Sequence, residues 1–518
     1  MLAAIKKIYL MFTLLVFVLS ATAQQMDVAW GVQLGTSGED FPKGVATDPL
    51  GNCYVVGQTD GALAGDAQGS KDMFVIKLSA SGEILWKDQV GTSGAEDGQG
   101  IAVDSEYNVY AFIQTNRTLG EENFGRYDMV LRKYNADGDV LWTKQFGSSG
   151  NDYSAGIKVG LSNQVYLVGR STGDWASDNL GSTDVIVATF DSDGQQLWLT
   201  QFGSSGADEG RSITFNASGD VFVVGQTMGS IEGQNQGDQD GFFAKLNSAG
   251  ELQWVKQFGT SSKDQASGIA LDGNSNIYIG GWTYGKIGDR IVGGGDAYLG
   301  YFDSEGEPIW IKQFGTGNWD GSHGMATIED GTGDVLLGGC WQWPACHGWV
   351  RRYNTSGELV WEKLIYDSPS KSSCGQTVAI DPMGDVYHVG GTDDNLFTTA
   401  AGQNDAWAVK ISSSTGVAEP RHGKNPDSFQ LNQNYPNPFN PSTKIDYSLQ
   451  KTSHVRLIIS NTAGQVVKTL VDDIQPEGVH DVVWDAKDEA GQSLSSGIYF
   501  CQLSAGKTVE NIKMILMR

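Results

Sequence analysis

Six acids recur at one place in a long repeat: Asp40, Glu96, Asp152, Asp208, Asp264 and Asp320, each 56 residues after the last. Carboxylates gathered around one axis would build a strong negative potential and hold a cation or a cationic ligand. The same acids at the foot of a tight loop would instead accept the loop's own backbone N–H groups. Both readings are open on the sequence, and the seventh copy carries Ser373 at this place.

A second constellation breaks the repeat. The run Gly339-Cys-Trp-Gln-Trp-Pro-Ala-Cys-His-Gly-Trp349 replaces a longer connector. Trp341 and Trp343 there are candidates for stacking a sugar or a peptide, with Trp282 and Trp319 expected on the same rim. Trp349 falls where the repeat has the core aromatic Phe74, and Cys340 or Cys346 is a candidate to bridge Cys374.

The remaining chemistry is thin. Five cysteines make an odd number and, with six scattered histidines, show no zinc-ligand spacing. Asn135-Ala-Asp-Gly-Asp139 and Asp191-Ser-Asp-Gly194 begin like calcium loops but lack the distant Glu, so they read as turns. His323, His347 and His388 belong to no nucleophile elbow, phosphate loop or HExxH. No catalytic residue, metal or cofactor is assigned from the sequence.

Composition sets the surroundings. The net charge of −26 repels phosphate backbones and there is no basic patch, which excludes nucleic-acid binding. Lys6 and Lys7, the apolar stretch Ile8 to Leu19 and Ala21-Thr22-Ala23 read as a signal peptide over residues 1–23. That apolar run falls short of the roughly 20 residues a membrane-spanning helix needs, and no later stretch reaches it. The mature chain is expected to begin near Gln24 and to be soluble.

These candidates must be positioned by the repeat itself. Trp30, Trp86, Trp142, Trp198, Trp254 and Trp310 recur every 56 residues, with Trp361 following 51 later. Each copy holds four strand-like runs: in the first, Gly44–Asp48, Cys53–Gly57, Asp72–Leu78 and Glu83–Lys87. Pro49-Leu-Gly-Asn52 and Ser79-Ala-Ser-Gly82 are hairpin connectors between them. Leu34, Val90, Phe146, Phe202, Phe258, Phe314 and Ile365 follow each Trp by four, on its strand face, so the Trp reads as core.

The ends of the chain decide the architecture. The Trp run around Trp30 precedes every other strand, while the last copy stops at Ile411 without one. A solenoid gains nothing from that offset, whereas a ring is closed by it, with one sheet edge hidden. The expected fold is all-β: a seven-bladed β-propeller over residues 24–411, its last blade completed by the N-terminal strand.

The pattern Gly-Thr-Ser-Gly-x-Asp, Gly-Ile-Ala-Val-Asp, Asn-x-Tyr-Val-x-Gly, Asp-x-Phe-Val-x-Lys-Leu and Gly-Glu-x-x-Trp resembles the bacterial β-propeller repeat family called SBBP, over roughly residues 28–411. The resemblance implies a secreted or surface protein and no shared catalysis. A Trp per blade is also a feature of quinoprotein dehydrogenase propellers, which have eight blades and a distinct Trp-docking motif.

Residues 412–427 read as a polar linker, and residues 428–518 as a small immunoglobulin-like β-sandwich with Pro436, Pro438 and Pro441 on an edge arm. Asn434-Tyr-Pro-Asn-Pro-Phe-Asn-Pro, Gly464-Gln-Val-Val, Trp484-Asp485, Ser496-Gly-Ile-Tyr-Phe and the end Lys513–Arg518 are similar to the type A C-terminal sorting domain of the type IX secretion system. That resemblance implies the type IX machinery as partner of residues 428–518, and an extracellular or outer-membrane surface destination.

The leading expectation is a non-enzymatic binding or scaffold propeller with a glycan or protein ligand on one rim. Its rival is a polysaccharide lyase or hydrolase, or a lectin, working at the channel mouth. A deep pocket gathering His323, Trp341 and Trp343 would favour the rival.

Overall fold

A computed structural model describes residues 26–413 and 430–516, apart from 121, 289, 329, 343–345, 366–371, 432–433, 435–438, 440, 450, 452, 462–464, 476–477 and 506–507. The expected signal peptide, Trp343, Pro436 and Pro438 lie outside the described residues, as does nearly all of the expected linker.

The described part of residues 26–413 is β-structure built of antiparallel four-stranded sheets. The first sheet takes Asp40–Thr47, Cys53–Thr59, Asp72–Leu78 and Ile84–Val90 in chain order. Four more follow the same plan, with innermost strands Glu96–Val103, Asp152–Val159, Asp208–Phe215 and Asp264–Leu271. The other eight strands of residues 26–413 form one sheet, but a single parallel bridge, His347 to Ser373, joins its two four-stranded halves. Those halves begin at Asp320–Thr327 and Ser373–Ile380 and are the sixth and seventh groups below.

The middle strands are buried along their whole length, as Cys53–Thr59 and Asp72–Leu78 show. They carry the β-branched and aromatic residues that a sheet covered on both faces requires. Consecutive groups share cores: Val168, Val185 and Phe202 of the third pack with Ile213, Val223 and Phe242 of the fourth.

The seventh group has the offset expected from the sequence. Its outer strand is Met26–Leu34, from the chain's start, paired antiparallel with Asp405–Ser413. Its Tyr387, Val389 and Ala406 pack in one core with Val55, Phe74 and Ile76 of the first sheet. Backbone contacts follow, with Asp40 N–H donating to Asn404 O at 2.7 Å and Thr47 Oγ1 to Ile380 O at 2.9 Å.

Each inner strand carries a β-bulge at the same point, the register shifting between Pro42 and Gly44, Gly98 and Gly100, and so on to Gly375 and Thr377. The bulge leaves one residue per strand without a ladder partner.

Residues 430–516 form a separate core with two sheets. Thr443–Leu449 and Gly478–Trp484 pair in the smaller one. Val466–Gln475, Ser453–Asn461, Gly497–Ala505 and Thr508–Leu516 make the larger. Tyr447, Leu457, Trp484, Cys501 and Met514 fill the space between them. Phe439, 2% exposed, joins that core beside Trp484, and its N–H donates to Ile515 O at 2.9 Å.

Candidate functional site

The six repeated acids open their inner strands and are shut into them, at most 1% exposed. Asp40 is representative: Oδ2 accepts from Thr36 N–H at 2.5 Å and Thr36 Oγ1 at 3.0 Å, and Oδ1 from Thr59 Oγ1 at 2.5 Å. Burial raises Asp40, Asp152, Asp208 and Asp264 above the ordinary carboxylate range against these hydrogen bonds, with a neighbouring Asp adding to the rise. The structure does not gather the six; each carboxylate serves its own loop.

Each acid has instead a close neighbour in the previous group, the Asp that opens the third strand. Oxygens of Asp184 and Asp208 both crowd Gly203, and oxygens of Asp240 and Asp264 both crowd Gly259. At Gly91 a Cβ would fall 2.0 Å from Asp72 Oδ1, so only glycine leaves room for the carboxylate. Oδ1 of Asp72, Asp184, Asp240 and Asp405 is buried without a hydrogen-bond partner. Their Oδ2 atoms are held, as where Gln89 Nε2 donates to Asp72 at 2.7 Å.

The sixth group departs from this plan. Trp341 stands where Thr59 and its equivalents donate to the acid, pairing in register with His347 across from Asp320. Asp320 keeps only the Thr316 partners, and burial pushes it up to about 6. Trp341 itself is part of the packing: the Arg351 guanidinium lies 5.1 Å from its ring centre and Trp349 at 6.4 Å. Of the two candidate connector tryptophans, Trp341 is half-buried against Arg351 and Trp349, and Trp343 lies outside the described residues.

One cavity touches the inner strands of all seven groups, and the unpaired bulge residues Lys43, Gln99, Ala155, Arg211, Ser267 and His323 line it. Sequence reading missed all of these but His323. Their signature is a change of residue type just before a Gly or Ser, and it is blurred by a second varied position two residues earlier, Phe41, Asp97, Tyr153, Glu209 and Gln265.

Around the bulge residues the wall divides in two. On one flank Lys43 Nζ and Asp97 Oδ2 pair at 2.5 Å, and Arg211 meets Glu209 at 2.7 Å. Arg170 also pairs with Glu209 and lies 4.6 Å over the Tyr153 ring. On the other flank Trp282 is 5.4 Å from Tyr284 and 6.4 Å from Trp319, which is 5.9 Å from His323. Tyr284 is exposed, and Trp282 and Trp319 are half-buried. Burial, with Arg211 adding its charge, pushes His323 down to about 4 and holds it neutral. His388, fully buried, is likewise pushed down to about 4 and spends Nδ1 on Thr377 O at 2.9 Å.

Cys346 and Cys374 form a disulfide, one of the two pairings open on the sequence. Cys53, Cys340 and Cys501 are free and buried, and burial raises all three thiols, Cys340 and Cys501 to about 12. Among the described residues no helix is long and apolar enough to cross a membrane.

Comparison with known proteins agrees on the repeat. Residues 29–63 and 253–289 match the β-propeller repeat family SBBP, and residues 440–508 match the FlgD Ig-like domain family. The regulatory protein FlaEY of Caulobacter vibrioides is 30% identical over 157 residues, 27% of this chain and 16% of FlaEY. The chain therefore matches only a small part of that relative's length. Among solved structures, PorZ, a surface component of the type IX secretion system of Porphyromonas gingivalis, is 11% identical, covering 94% of this chain and 75% of PorZ, TM-score 0.33. A PL25 ulvan lyase is 10% identical, covering 73% of this chain and 95% of the lyase, TM-score 0.44.

Proposed function

We propose that residues 24–411 form a seven-bladed ring closed by the N-terminal strand, which binds a ligand at one mouth of its channel without transforming it. Residues 428–518 act as the export signal for the type IX secretion machinery, and the protein works outside the cell or on its surface. Ring closure is supported by the cavity that every inner strand lines and by the shared core of the seventh and first groups.

The observation that carries the binding reading is the contrast around the channel. The repeat holds packing residues constant in every sheet, while the bulge positions facing the channel differ in each. Varied side chains gathered around one cavity on a constant frame are what a ligand site on a rigid scaffold requires. The aromatic flank of Trp282, Tyr284 and Trp319 suits the apolar face of a sugar ring, and Arg170 and Arg211 across the mouth suit its acidic or hydroxyl substituents.

An enzyme cleaving polysaccharide at this mouth would need an acid and a base free to exchange protons. Glu209 and Asp97 are instead tied to Arg211 and Lys43. Those ties support binding over catalysis.

The test is a glycan and peptide array probed with the chain lacking residues 1–23. Binding to one glycan class that Arg211→Ala and Trp319→Ala both abolish supports the reading; a peptide hit or silence on both arrays overturns the glycan assignment. Export is tested separately: deleting residues 428–518 should leave the propeller behind the outer membrane, and its normal arrival outside would refute the signal.

A further inference from the structure

At six junctions between neighbouring groups two carboxylates face each other, but at the junction of the sixth and seventh they are replaced. His347 stands where the others have the third-strand Asp, and Ser373 where they have the inner-strand acid. Cys346 and Cys374 flank this pair and are joined, Cα to Cα 5.3 Å.

A disulfide accounts for two of the residues that break the repeat here, and two more converge on the same point. Cys340 occupies the position of Gln58, Gln114, Arg170, Gln226 and Trp282, opposite Gly321 in the ladder. His323 occupies the bulge position of Lys43, Gln99, Ala155, Arg211 and Ser267. The sulfur atoms of Cys340, Cys346 and Cys374 all lie within 4.8 Å of one another, and Cys340 Sγ is 3.6 Å from His323 Nε2. None of the four residue types is supplied by the repeat at its position. The bridged pair and two further departures, Cys340 and His323, thus meet at one spot and point to a common reason.

We propose that Cys340, Cys346, Cys374 and His323 form a four-coordinate site for zinc in the reduced chain. Three thiolates and one imidazole are a complete donor set for that ion, whose Zn–S bonds of about 2.3 Å set tetrahedral sulfurs roughly 3.8 Å apart. With the disulfide opened, the Cys346 and Cys374 sulfurs separate toward this spacing, and Cys340 Sγ already lies within 4.8 Å of both. His323 reaches the cluster from the channel wall, which gives the ion a way in. A dithiol reductant opens the disulfide, passing two electrons and two protons to Cys346 and Cys374 and becoming a disulfide itself. The zinc ion then displaces the protons of the three thiols to solvent and changes no oxidation state. The junction is thus held either by a disulfide or by a metal, depending on the redox state of its surroundings.

The experiment uses the chain lacking residues 1–23, reduced with a dithiol that is then removed without air, and titrated with Co2+ and Zn2+. One equivalent of cobalt should give thiolate-to-metal charge-transfer absorption with tetrahedral visible bands, and zinc should displace it one for one. Cys340→Ser should lose about a third of the charge-transfer intensity, one thiolate of three, and weaken zinc by at least about tenfold, while still forming the Cys346–Cys374 disulfide in air. That disulfide, mapped in peptides, shows that the variant folds. His323→Asn should keep the charge transfer and shift the visible bands. A reduced chain with no charge-transfer band, or a Cys340→Ser variant that binds as tightly as its parent, overturns the site.

Discussion

The indole of Trp30 lies against the backbone of Gly82, and its Nε1–H donates to Ala80 O at 2.9 Å. The two ends of that contact belong to different sheets: Trp30 to the strand that completes the seventh, Gly82 to a hairpin of the first. Trp86 does the same to Gly138 and Ala136, and Trp310 to Gly357 and Thr355. The tryptophan that marks the repeat is therefore half-buried and joins one sheet to the next. Within its own group Gln33 also matches its counterpart: its Oε1 accepts from Leu396 and Phe397 N–H as Gln89 Oε1 accepts from Ala64 and Gly65 N–H.

Deleting residues 24–36 should therefore cost more than one strand's hydrogen bonds, because it opens both faces of the seventh group. A fall in melting temperature of at least about 10 °C is expected by calorimetry. Trp30→Ala, which keeps the strand, should cost about 2–3 kcal/mol in denaturant unfolding. A truncated chain that melts like the parent would refute closure.

Gly82 offers a finer check. Its φ is +86°, and a Cβ there would stand 2.9 Å from the Trp30 ring. Gly384 has φ +84° and open space around it. Gly384→Ala should cost only the left-handed backbone term, about 1–2 kcal/mol. Gly82→Ala should cost visibly more and should shift the fluorescence of Trp30. Equal costs would mean that the indole does not rest on this hairpin.

The legibility of the molecule follows from what each residue is for. Tryptophans, glycines and acids do the same job in every sheet, so they recur and are read at once. The bulge residues have no ladder partner in the sheet, and a position whose residue type changes from copy to copy looks like noise until the cavity they line is seen. Trp341 sits in an aromatic run that reads as exposed, and nothing in the sequence signals that Arg351, ten residues on, would cover it. The sequence offers Cys340 or Cys346 as a partner for Cys374 but not the meeting of all three with His323, because the four lie on four strands between residues 323 and 374 and share no spacing.

The buried acids predict how stability changes with pH. Asp40, Asp152, Asp208 and Asp264 are raised by burial, and Asp320 and Asp381 reach about 6. A raised carboxyl binds more protons folded than unfolded, so its contribution falls as pH rises from the ordinary value of 3.8 through about 6 and is flat above. Lowered carboxyls such as Asp330 and Asp485 act in the opposite sense, so the comparison must be made within pairs. Asp320→Asn removes one raised group while Asn Oδ1 can still accept from Thr316. Relative to the parent, it should gain stability as pH rises from 4 to about 6 and no further; a difference independent of pH would refute the shift.

The channel mouth predicts a separation between binding and folding. Trp282 and Trp319 are half-buried on the aromatic flank, and neither belongs to the cores shared between sheets. Replacing either by Ala should leave the melting temperature within a few degrees, since surface changes away from cores and networks stay within about 0.5 kcal/mol. The ligand found on the array should bind each variant at least about tenfold more weakly, the loss of one stacked ring being worth roughly 0.5–1.5 kcal/mol beyond its buried area. Trp341→Ala gives the contrasting pattern, because Trp341 fills space between Arg351 and Trp349. It should lower stability by about 2 kcal/mol or more and change binding only through the fold. If Trp341→Ala instead abolished binding in a protein that melts normally, the ligand would sit on the sixth group's connector and not at the flank formed by Trp282 and Trp319.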